Sequence, residues 1–489
     1  MAVGILAYGG YIPKSRLQRN EIFKAHAWFN PGLKGLARGE RSIANWDEDS
    51  VTMAVEAARD CLSAEDKNGI AGVYMASTTF PFLDRQNSGI VADALNLSSS
   101  IQTMDFASSM RAGTSGLIAA IQAAKGGAGN ILYTTAEKRH TKAGSPLELT
   151  TGDGAAALLI GEGNPVATLL GSHTESFDFV DHFRGEEASH DYTWEERWIR
   201  DEGYMKIVPA AVEALLEKTG TKAEKITTFC FPVAARNVAA GLAKKLGINA
   251  EAVADNLQEN CGEAGTSHAP IMLVQALENA SAGDKILIAS FGQGCDALLL
   301  EVTDQINSHP KPLGITGSLA RGRKTENYNR FLALNNGIQM EQGIRAEVDK
   351  NTGLTTHYRN RYMAQRMVGG ECTKCGTVQF PKSNICVNEN CGEIGTQEDH
   401  PFSDKIASLN SYTADRLTYS PDPPACYGMV QFEGGGRLMA DFTDIHPDDE
   451  LAVGLKMRMV FRVKDYDTKR GFRRYFWKAI PIENDQKGD

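Results

Sequence analysis

The sequence predicts a layered α/β protein carrying a small cysteine-rich ribbon and a β-barrel at its C-terminal end. Three observations lead there. Apolar strand-like runs alternate with helical patterns across residues 1–305, four cysteines stand in two paired knuckles at 372–391, and short apolar-alternating runs separated by turns fill the chain beyond residue 400.

In chain order, Met1-Ala-Val-Gly-Ile-Leu-Ala-Tyr is a short apolar strand, and Gly4–Leu17 includes a Tyr-Gly-Gly-Tyr-Ile-Pro turn. A helix is expected from Asp47 to Leu62, capped by Asp47 or Asp49, with Ala54, Ala57, Ala58 and Leu62 on its apolar face. Val73 to Thr79 reads as a strand. Met104 to Phe106 is a buried strand leading into a small-residue turn, and Leu117 to Ala124 is a helix apolar on most sides, as expected of one wrapped by other structure. Asn130 to Glu137 and the glycine-opened Gly152–Gly161 are further strands. Residues 172–203, rich in His, Asp, Glu and aromatic side chains (His173, His182, His190, Trp194, Trp198), are expected to be an irregular insertion at the surface or over a pocket; a metal site there is the weaker alternative. Val208–Lys218 and Ala234–Leu246 are predicted helices, and Ile226–Pro232 and Lys285–Phe291 predicted strands. His309-Pro-Lys-Pro312 marks a boundary, and 313–371 a polar connecting arm. Beyond it, strands are expected at 409–418, 427–433, 437–442, 456–464 and 475–479.

Composition narrows the function. The chain has 489 residues, 42% of them hydrophobic and 23% charged, enough for several domains and a large core. Its net charge of −10 excludes a general nucleic-acid or membrane-surface role, which needs a basic face. No apolar run has the length of a membrane span. The N-terminus lacks the basic region of a signal peptide, and the nine cysteines do not form a disulfide-like framework, so a cytoplasmic location is expected.

The stretch from Met104 to Leu117 resembles the nucleophile turn of the thiolase superfamily, especially hydroxymethylglutaryl-CoA (HMG-CoA) synthases and ketoacyl synthase III. Those families place an Asp, a catalytic Cys five residues on, then a small-residue turn and a Leu. Asp105, Met110 and Leu117 keep that spacing, with Ala112-Gly113-Thr114 in the turn. The resemblance covers residues 1–305. It implies a duplicated α/β/α/β/α fold, a dimer and an oxyanion hole built from backbone N–H groups of the nucleophile turn (Met110) and of a glycine loop, here Gly292-Gln293-Gly294.

The side chains depart from the families. Met110 replaces the Cys, and a thioether has no ionisable proton with which to form an acyl-enzyme. Thr78 stands where HMG-CoA synthases carry a general acid/base Glu. In Phe229-Cys230-Phe231-Pro232, Cys230 takes the place of the family's His. In Gly262-Glu263-Ala-Gly-Thr-Ser-His268-Ala-Pro270, Glu263 takes the place of its Asn, and His268 follows five residues on. Structural roles compete for each: methionine fills core gaps, a buried cysteine is a small hydrophobe, and Glu263 with His268 could be a hydrogen-bonded pair. A carboxylate beside an oxyanion hole is costly unless it has a use, and a His–Glu pair suits acid/base work.

The cysteines Cys372-Thr-Lys-Cys375-Gly and Cys386-Val-Asn-Glu-Asn-Cys391-Gly have the spacing of a structural tetrahedral Zn²⁺ site. With the five strands that follow, residues 369–482 resemble the acyl-CoA-associated zinc-ribbon/OB-fold proteins (domain of unknown function 35), which implies a CoA-binding module and association with a thiolase-fold partner. The expected domains are the thiolase-like halves 1–165 and 166–305, the arm 306–371, the ribbon 372–400 and the OB-fold barrel 401–489. Three functions follow. The first is an enzyme that makes or breaks a carbon–carbon bond in a β-hydroxyacyl-CoA by aldol chemistry, with Glu263 and His268 moving protons. The second is an acyltransferase using another nucleophile such as Cys230. The third is a non-catalytic CoA-binding subunit. The expected partners are an acyl-CoA thioester, a second copy of the chain and a separate thiolase.

Overall fold

The computed structural model describes residues 2–63, 66–446 and 448–482, in two compact units. The first comprises residues 1–44, 49–92 and 97–332, and the second residues 45–48, 93–96 and 333–489.

The first unit is built on β1 (Ala2–Tyr11), α1 (Ser50–Cys61), β2 (Ile70–Ala76), α2 (Asn87–Ala94), β3 (Gln102–Phe106), α3 (Ala112–Lys125), β4 (Asn130–Glu137), β5 (Gly154–Gly163), β6 (Ala167–Ser176), α4 (Met205–Thr219), β7 (Thr228–Cys230), α5 (Val238–Leu246), α6 (His268–Glu278), β8 (Lys285–Phe291) and β9 (Gly294–Val302). The nine strands share one sheet in the order β7-β8-β9-β6-β1-β5-β4-β2-β3. Here the duplication becomes visible. β1, β5, β4 and β2 pair antiparallel, antiparallel and parallel, and β6, β9, β8 and β7 repeat the same sequence of pairings. The halves join where Gly4 and Ile5 of β1 lie opposite Thr168 and Ala167 of β6. Within each half a helix, α3 or α6, leads into the corresponding strand, β4 or β8, so the turns opening α3 and α6 are equivalent by this internal symmetry.

Burial follows the apolar pattern. Leu117, Ala120, Ile121 and Ala124 of α3 and Ile271, Met272, Leu273, Val274 and Leu277 of α6 share one core with inward residues of the sheet. A second core packs α4 and α5 on residues of β7, β8 and β9. Burying a side chain such as Leu117 contributes about 1.5–3 kcal/mol. α1 is capped by Asp49, which accepts from Thr52 N at 3.0 Å while Thr52 Oγ1 accepts from Asp49 N at 2.9 Å. Asp47, the other expected cap, instead accepts from Lys478 Nζ at 2.8 Å in the second unit.

Three boundaries differ from expectation. β6 runs on to Ser176, into the 172–203 stretch, a hairpin pairs Phe183 with Tyr192, and a wide helical turn from Ile199 to Tyr204 leads into α4. The strand expected at 226–232 is only Thr228–Cys230, and α5 begins at Val238 after Asn237 adopts a left-handed conformation at φ 61°.

In the second unit, Val368–Cys372 pairs with Val378–Gln379 and Gln397–Pro401 to form the ribbon. Five strands, Ala407–Asp415, Ala425–Phe432, Arg437–Asp441, Lys456–Asp467 and Phe472–Pro481, form one sheet, and a Phe442–Ala479 bridge brings its ends together. Leu409, Val430, Phe432, Met457, Phe461 and Trp477 are buried. Residues 483–489 of the expected barrel domain lie outside the described residues. Among the described residues, no helix is long and apolar enough to cross a membrane.

Candidate active site

The turn before α3 is held from three sides. Asp105 accepts from the backbone N–H groups of Asn87 and Ser88 at 2.7 and 2.9 Å, so it satisfies the free N-terminus of α2. The buried Asp296 of β9 accepts from Arg111 Nη1, Thr114 Oγ1 and Thr174 Oγ1 at 3.0, 3.0 and 2.8 Å, placing an anion at the positive end of α3. Gly292 lies directly on the turn: a Cβ there would stand 2.8 Å from Arg111 N and 3.1 Å from Met110 Cβ. Its carbonyl accepts from Ser109 Oγ at 3.0 Å and Arg111 Nε at 2.9 Å.

Not all the N–H groups of these two turns find an acceptor. Gly292 N–H is committed to Gly294 O at 3.0 Å, and Gly294 is drawn into β9, where a Cβ would lie 2.1 Å from Glu175 O. Among the described residues, no acceptor lies on the N–H of Met110 or of Gln293. Ser108 and Gln293 both adopt left-handed φ, 72° and 54°. Strain of this kind costs about 1–3 kcal/mol per residue and is held only where surrounding contacts enforce it. The N–H groups left without an acceptor are therefore those of Met110 and Gln293, and not that of Gly292.

Met110 brings a thioether to the turn before α3, and Arg139 Nη1 donates to its Sδ at 2.8 Å. Arg139 is buried, and its Nε and Nη2 donate to Asp191 Oδ2 at 3.0 and 2.6 Å. Arg184 Nη1 donates to Asp191 Oδ1 at 2.8 Å, and its Nη2 donates to the Thr78 carbonyl. Burial alone would lower the proton affinity of Arg139, but Asp191, then Glu263 and Glu137, more than reverse this and leave it raised. For Asp191, burial is outweighed by Arg139 and Arg184, which hold its carboxyl below the usual range. Both are therefore charged at neutral pH.

Glu263 arrives on the turn equivalent to that of Met110. Its N–H donates to Thr150 O at 2.9 Å and its carbonyl accepts from Gly152 N at 3.0 Å. The two turns touch, since a Cβ on Gly113 would lie 2.0 Å from Thr266 O. The Glu263 carboxylate acts electrostatically on Arg139, His268 and Tyr204. Met110 and the turn that carries Glu263 both meet Arg139: its Nη1 donates to Met110 Sδ, and a Cβ on Gly265 would stand 2.8 Å from that same nitrogen.

Two candidates leave the site. Cys230 is fully buried in the core, with Sγ 3.8 Å from Met272 O, and burial pushes its thiol up to about 12. It does not supply a thiolate at neutral pH. His268 is also fully buried. Its Nδ1 accepts from Ala264 N at 3.0 Å and its Nε2 donates to Asn256 O at 2.8 Å, while burial lowers its pKa. Both nitrogens are taken by backbone, so this neutral ring positions the Ala264 turn instead of moving protons.

Glu137, Arg139, Arg184 and Asp191 were not singled out from the sequence. A signal exists for the first two: Glu137 ends β4 and Arg139 follows it, and open α/β sheets place ligands outside the carboxyl ends of strands. Arg184 and Asp191 lie in the irregular insertion and carry no such signal.

The four ribbon cysteines are the only group of three or more potential metal ligands clustered among the described residues, with Sγ atoms all within 4.8 Å of one another. Cys372 and Cys391 Sγ are 3.9 Å apart and Cys375 and Cys386 Sγ 3.6 Å apart. A tetrahedral site with zinc–sulfur bonds of about 2.3 Å has edges of about 3.8 Å, so the donor set fits zinc. Thr396 and Thr377 hydroxyls lie 3.2 Å from Cys372 and Cys375 Sγ, contacts of the kind that orient metal ligands.

Comparison with known proteins agrees with this architecture. The family "3-Oxoacyl-[acyl-carrier-protein (ACP)] synthase III C terminal" matches residues 216–301, the "ChsH2, rubredoxin-like zinc ribbon domain" residues 363–393, and the "ChsH2, C-terminal OB-fold domain" residues 401–462. The hydroxymethylglutaryl-CoA synthase of Methanosphaera stadtmanae is 34% identical over 314 residues, 62% of this chain and 89% of that protein. That of Methanocaldococcus jannaschii is 33% identical over 315 residues, 62% of this chain and 90% of the relative. Among solved structures, an HMG-CoA synthase complexed with CoA aligns with TM-score 0.59 at 18% identity, over 82% of this chain and all of that one. The 3-oxoacyl-[acyl-carrier-protein] synthase III of Aquifex aeolicus aligns with TM-score 0.54 at 22% identity, over 61% of this chain and all of that one. The thiolase-like fold is common to them.

Proposed function

Because the chain belongs to the hydroxymethylglutaryl-CoA synthase family through its first two-thirds, we propose that it makes or breaks a carbon–carbon bond beside an acyl-CoA thioester by aldol chemistry, without an acyl-enzyme. One observation carries this: Met110 holds a thioether bound to Arg139, while among the described residues the backbone N–H groups of Met110 and Gln293 have no acceptor. A thioester oxygen lying between those donors would be stabilised as an enolate; in known enzymes removing one such donor costs about 3–4 kcal/mol of transition-state stabilisation. Glu263 would exchange a proton with the α-carbon, and Arg139 would balance its charge. The acyltransferase alternative loses its nucleophile with the burial of Cys230.

The ribbon cysteines Cys372, Cys375, Cys386 and Cys391 would hold a Zn²⁺ that folds the ribbon, and the barrel would help bind the CoA moiety. The chemistry is assigned to the first unit.

The test is intact-mass spectrometry after incubation with a panel of acyl-CoA and β-hydroxyacyl-CoA thioesters, with free CoA and cleavage products measured alongside. Cleavage or condensation without an adduct, abolished by Glu263→Gln, is the expected result. A stable acyl adduct refutes the non-covalent mechanism, and CoA binding without turnover leaves a scaffold subunit.

A further inference from the structure

Glu137 is fully buried at the end of β4, and among the described residues its donors are Ser77 and Thr78, just after β2. Its Oε1 accepts from Ser77 Oγ at 2.9 Å and from the Thr78 backbone N–H, and its Oε2 accepts from Thr78 Oγ1 at 2.8 Å. Ser77 is itself fully buried, whereas Thr78 is half-buried. Of the two residues whose hydroxyls reach this carboxylate, only Thr78 is partly exposed. The pair borders the Met110 site: a Cβ on Gly265 would stand 2.8 Å from Arg139 Nη1 and 3.0 Å from Glu137 Oε2, and Arg184 ties the Thr78 carbonyl to Asp191.

We propose that Thr78 and Glu137 form a two-residue proton relay in which Thr78 is a catalytic residue touching the substrate hydroxyl and Glu137 is the terminal base. A hydroxyl that donates to a buried carboxylate within hydrogen-bond reach has the geometry by which bases activate hydroxyl groups. Burial raises the proton affinity of Glu137 against the opposing pull of Arg139, Thr78 and Ser77, which makes it a better acceptor than an exposed glutamate.

This assignment rests on the aldol reading of the same site. In the cleavage direction, the β-hydroxyl proton of the substrate passes to Thr78 Oγ1 as Thr78's own proton passes to Glu137 Oε2. The freed O–H electron pair becomes the second bond of the new carbonyl. The Cα–Cβ bond breaks, and its electrons enter the thioester enolate held by Met110 N–H and Gln293 N–H. A proton taken up from solvent then passes by way of Glu263 to the α-carbon, which leaves Glu263 as it began. Glu137 ends with one proton more and returns it to solvent.

Two reactions separate the relay from the rest of the site. Cleavage of a β-hydroxyacyl-CoA needs it; exchange of the α-hydrogens of the product acyl-CoA with D₂O needs only Glu263 and the backbone donors. Thr78→Val and Glu137→Gln are expected to lower kcat for cleavage about 100-fold or more and to lower exchange far less than cleavage, while Thr78→Ser keeps cleavage within about fivefold. Retention of cleavage by Thr78→Val overturns the relay alone. Equal loss of cleavage and exchange in both variants also overturns it, because the pair is then structural. A wild-type protein that exchanges but cleaves no β-hydroxyacyl-CoA refutes the aldol function itself, and the relay falls with it. Infrared difference spectra of wild type against Glu137→Gln give a readout independent of turnover: the Glu137 carboxyl band should persist to higher pH in Thr78→Val, and an unchanged midpoint counts against the coupling.

Discussion

Met110→Cys is the sharpest probe of the site, because it returns an ionisable sulfur to a position the fold has kept. The substitution shortens a half-buried side chain by the equivalent of two heavy atoms, a loss of about 1–2 kcal/mol of burial. The new thiol would sit at the opening of α3, within several ångströms of the Arg139 guanidinium that now lies 2.8 Å from Met110 Sδ. A charge pair about 5 Å apart at an effective dielectric of about 20 gains about 3 kcal/mol, equivalent to about two pKa units. Glu263, Glu137 and Asp191 oppose this, while the helix N-terminus assists it. A net lowering of about one unit from the free-thiol value of about 8.5 is therefore expected. The rate of alkylation by iodoacetamide against pH measures it directly, and incubation with acetyl-CoA should give an acetyl adduct on intact mass in this variant but not in wild type. A thiol at or above the free value, with no adduct, would refute both the placement of Arg139 and the survival of the oxyanion donors.

Other outcomes follow from the same geometry. One zinc per chain is expected by elemental analysis, and Cys375→Ser should lose it and make residues 368–401 sensitive to protease; full occupancy in that variant contradicts the four-sulfur site. Cys230→Ala should leave turnover within about twofold and cost about 1 kcal/mol in urea denaturation, as for a small buried hydrophobe. The folded-state pKa of Glu137 is raised, chiefly by burial, so the fold holds that proton more tightly than the unfolded chain does. Its stabilising contribution is full below the unfolded value of about 4.3 and is lost as pH rises through the folded value. Glu137→Gln, neutral throughout, should flatten the decline of the urea midpoint across that window; parallel wild-type and variant curves argue against the shift. The strand Gln102–Phe106 is the edge of the nine-stranded sheet and exposes Gln102 and Met104. A homodimer through this edge is expected by light scattering, with Met104→Lys monomeric; a monomeric wild type removes the proposal.

The sequence by itself determined the fold and its chemistry-bearing turns. Asp105, Met110 and Leu117 mark a strand–turn–helix because local spacing and small residues specify it; the tertiary structure keeps that order, but the strand expected to be buried is a sheet edge that exposes Met104. The cysteine knuckles likewise state a four-sulfur site locally. Element ends were less legible, since the exits of β6 and β7 depend on what packs over them rather than on their own pattern. The tertiary structure alone decided which side chains meet. Cys230 and His268 sit in motif positions, but one strand register turns Cys230 into the core, and backbone groups at Ala264 and Asn256 occupy both nitrogens of His268. Arg139 and Asp191 are 52 residues apart, and Thr78 and Glu137 are 59 apart, joined by the pairing of β2 with β4 and by a hairpin with no sequence signature. Spacing along a chain reports on neighbours within one turn or strand. Protonation state and access are set by burial and by charges arriving from distant segments, and only the assembled fold fixes those.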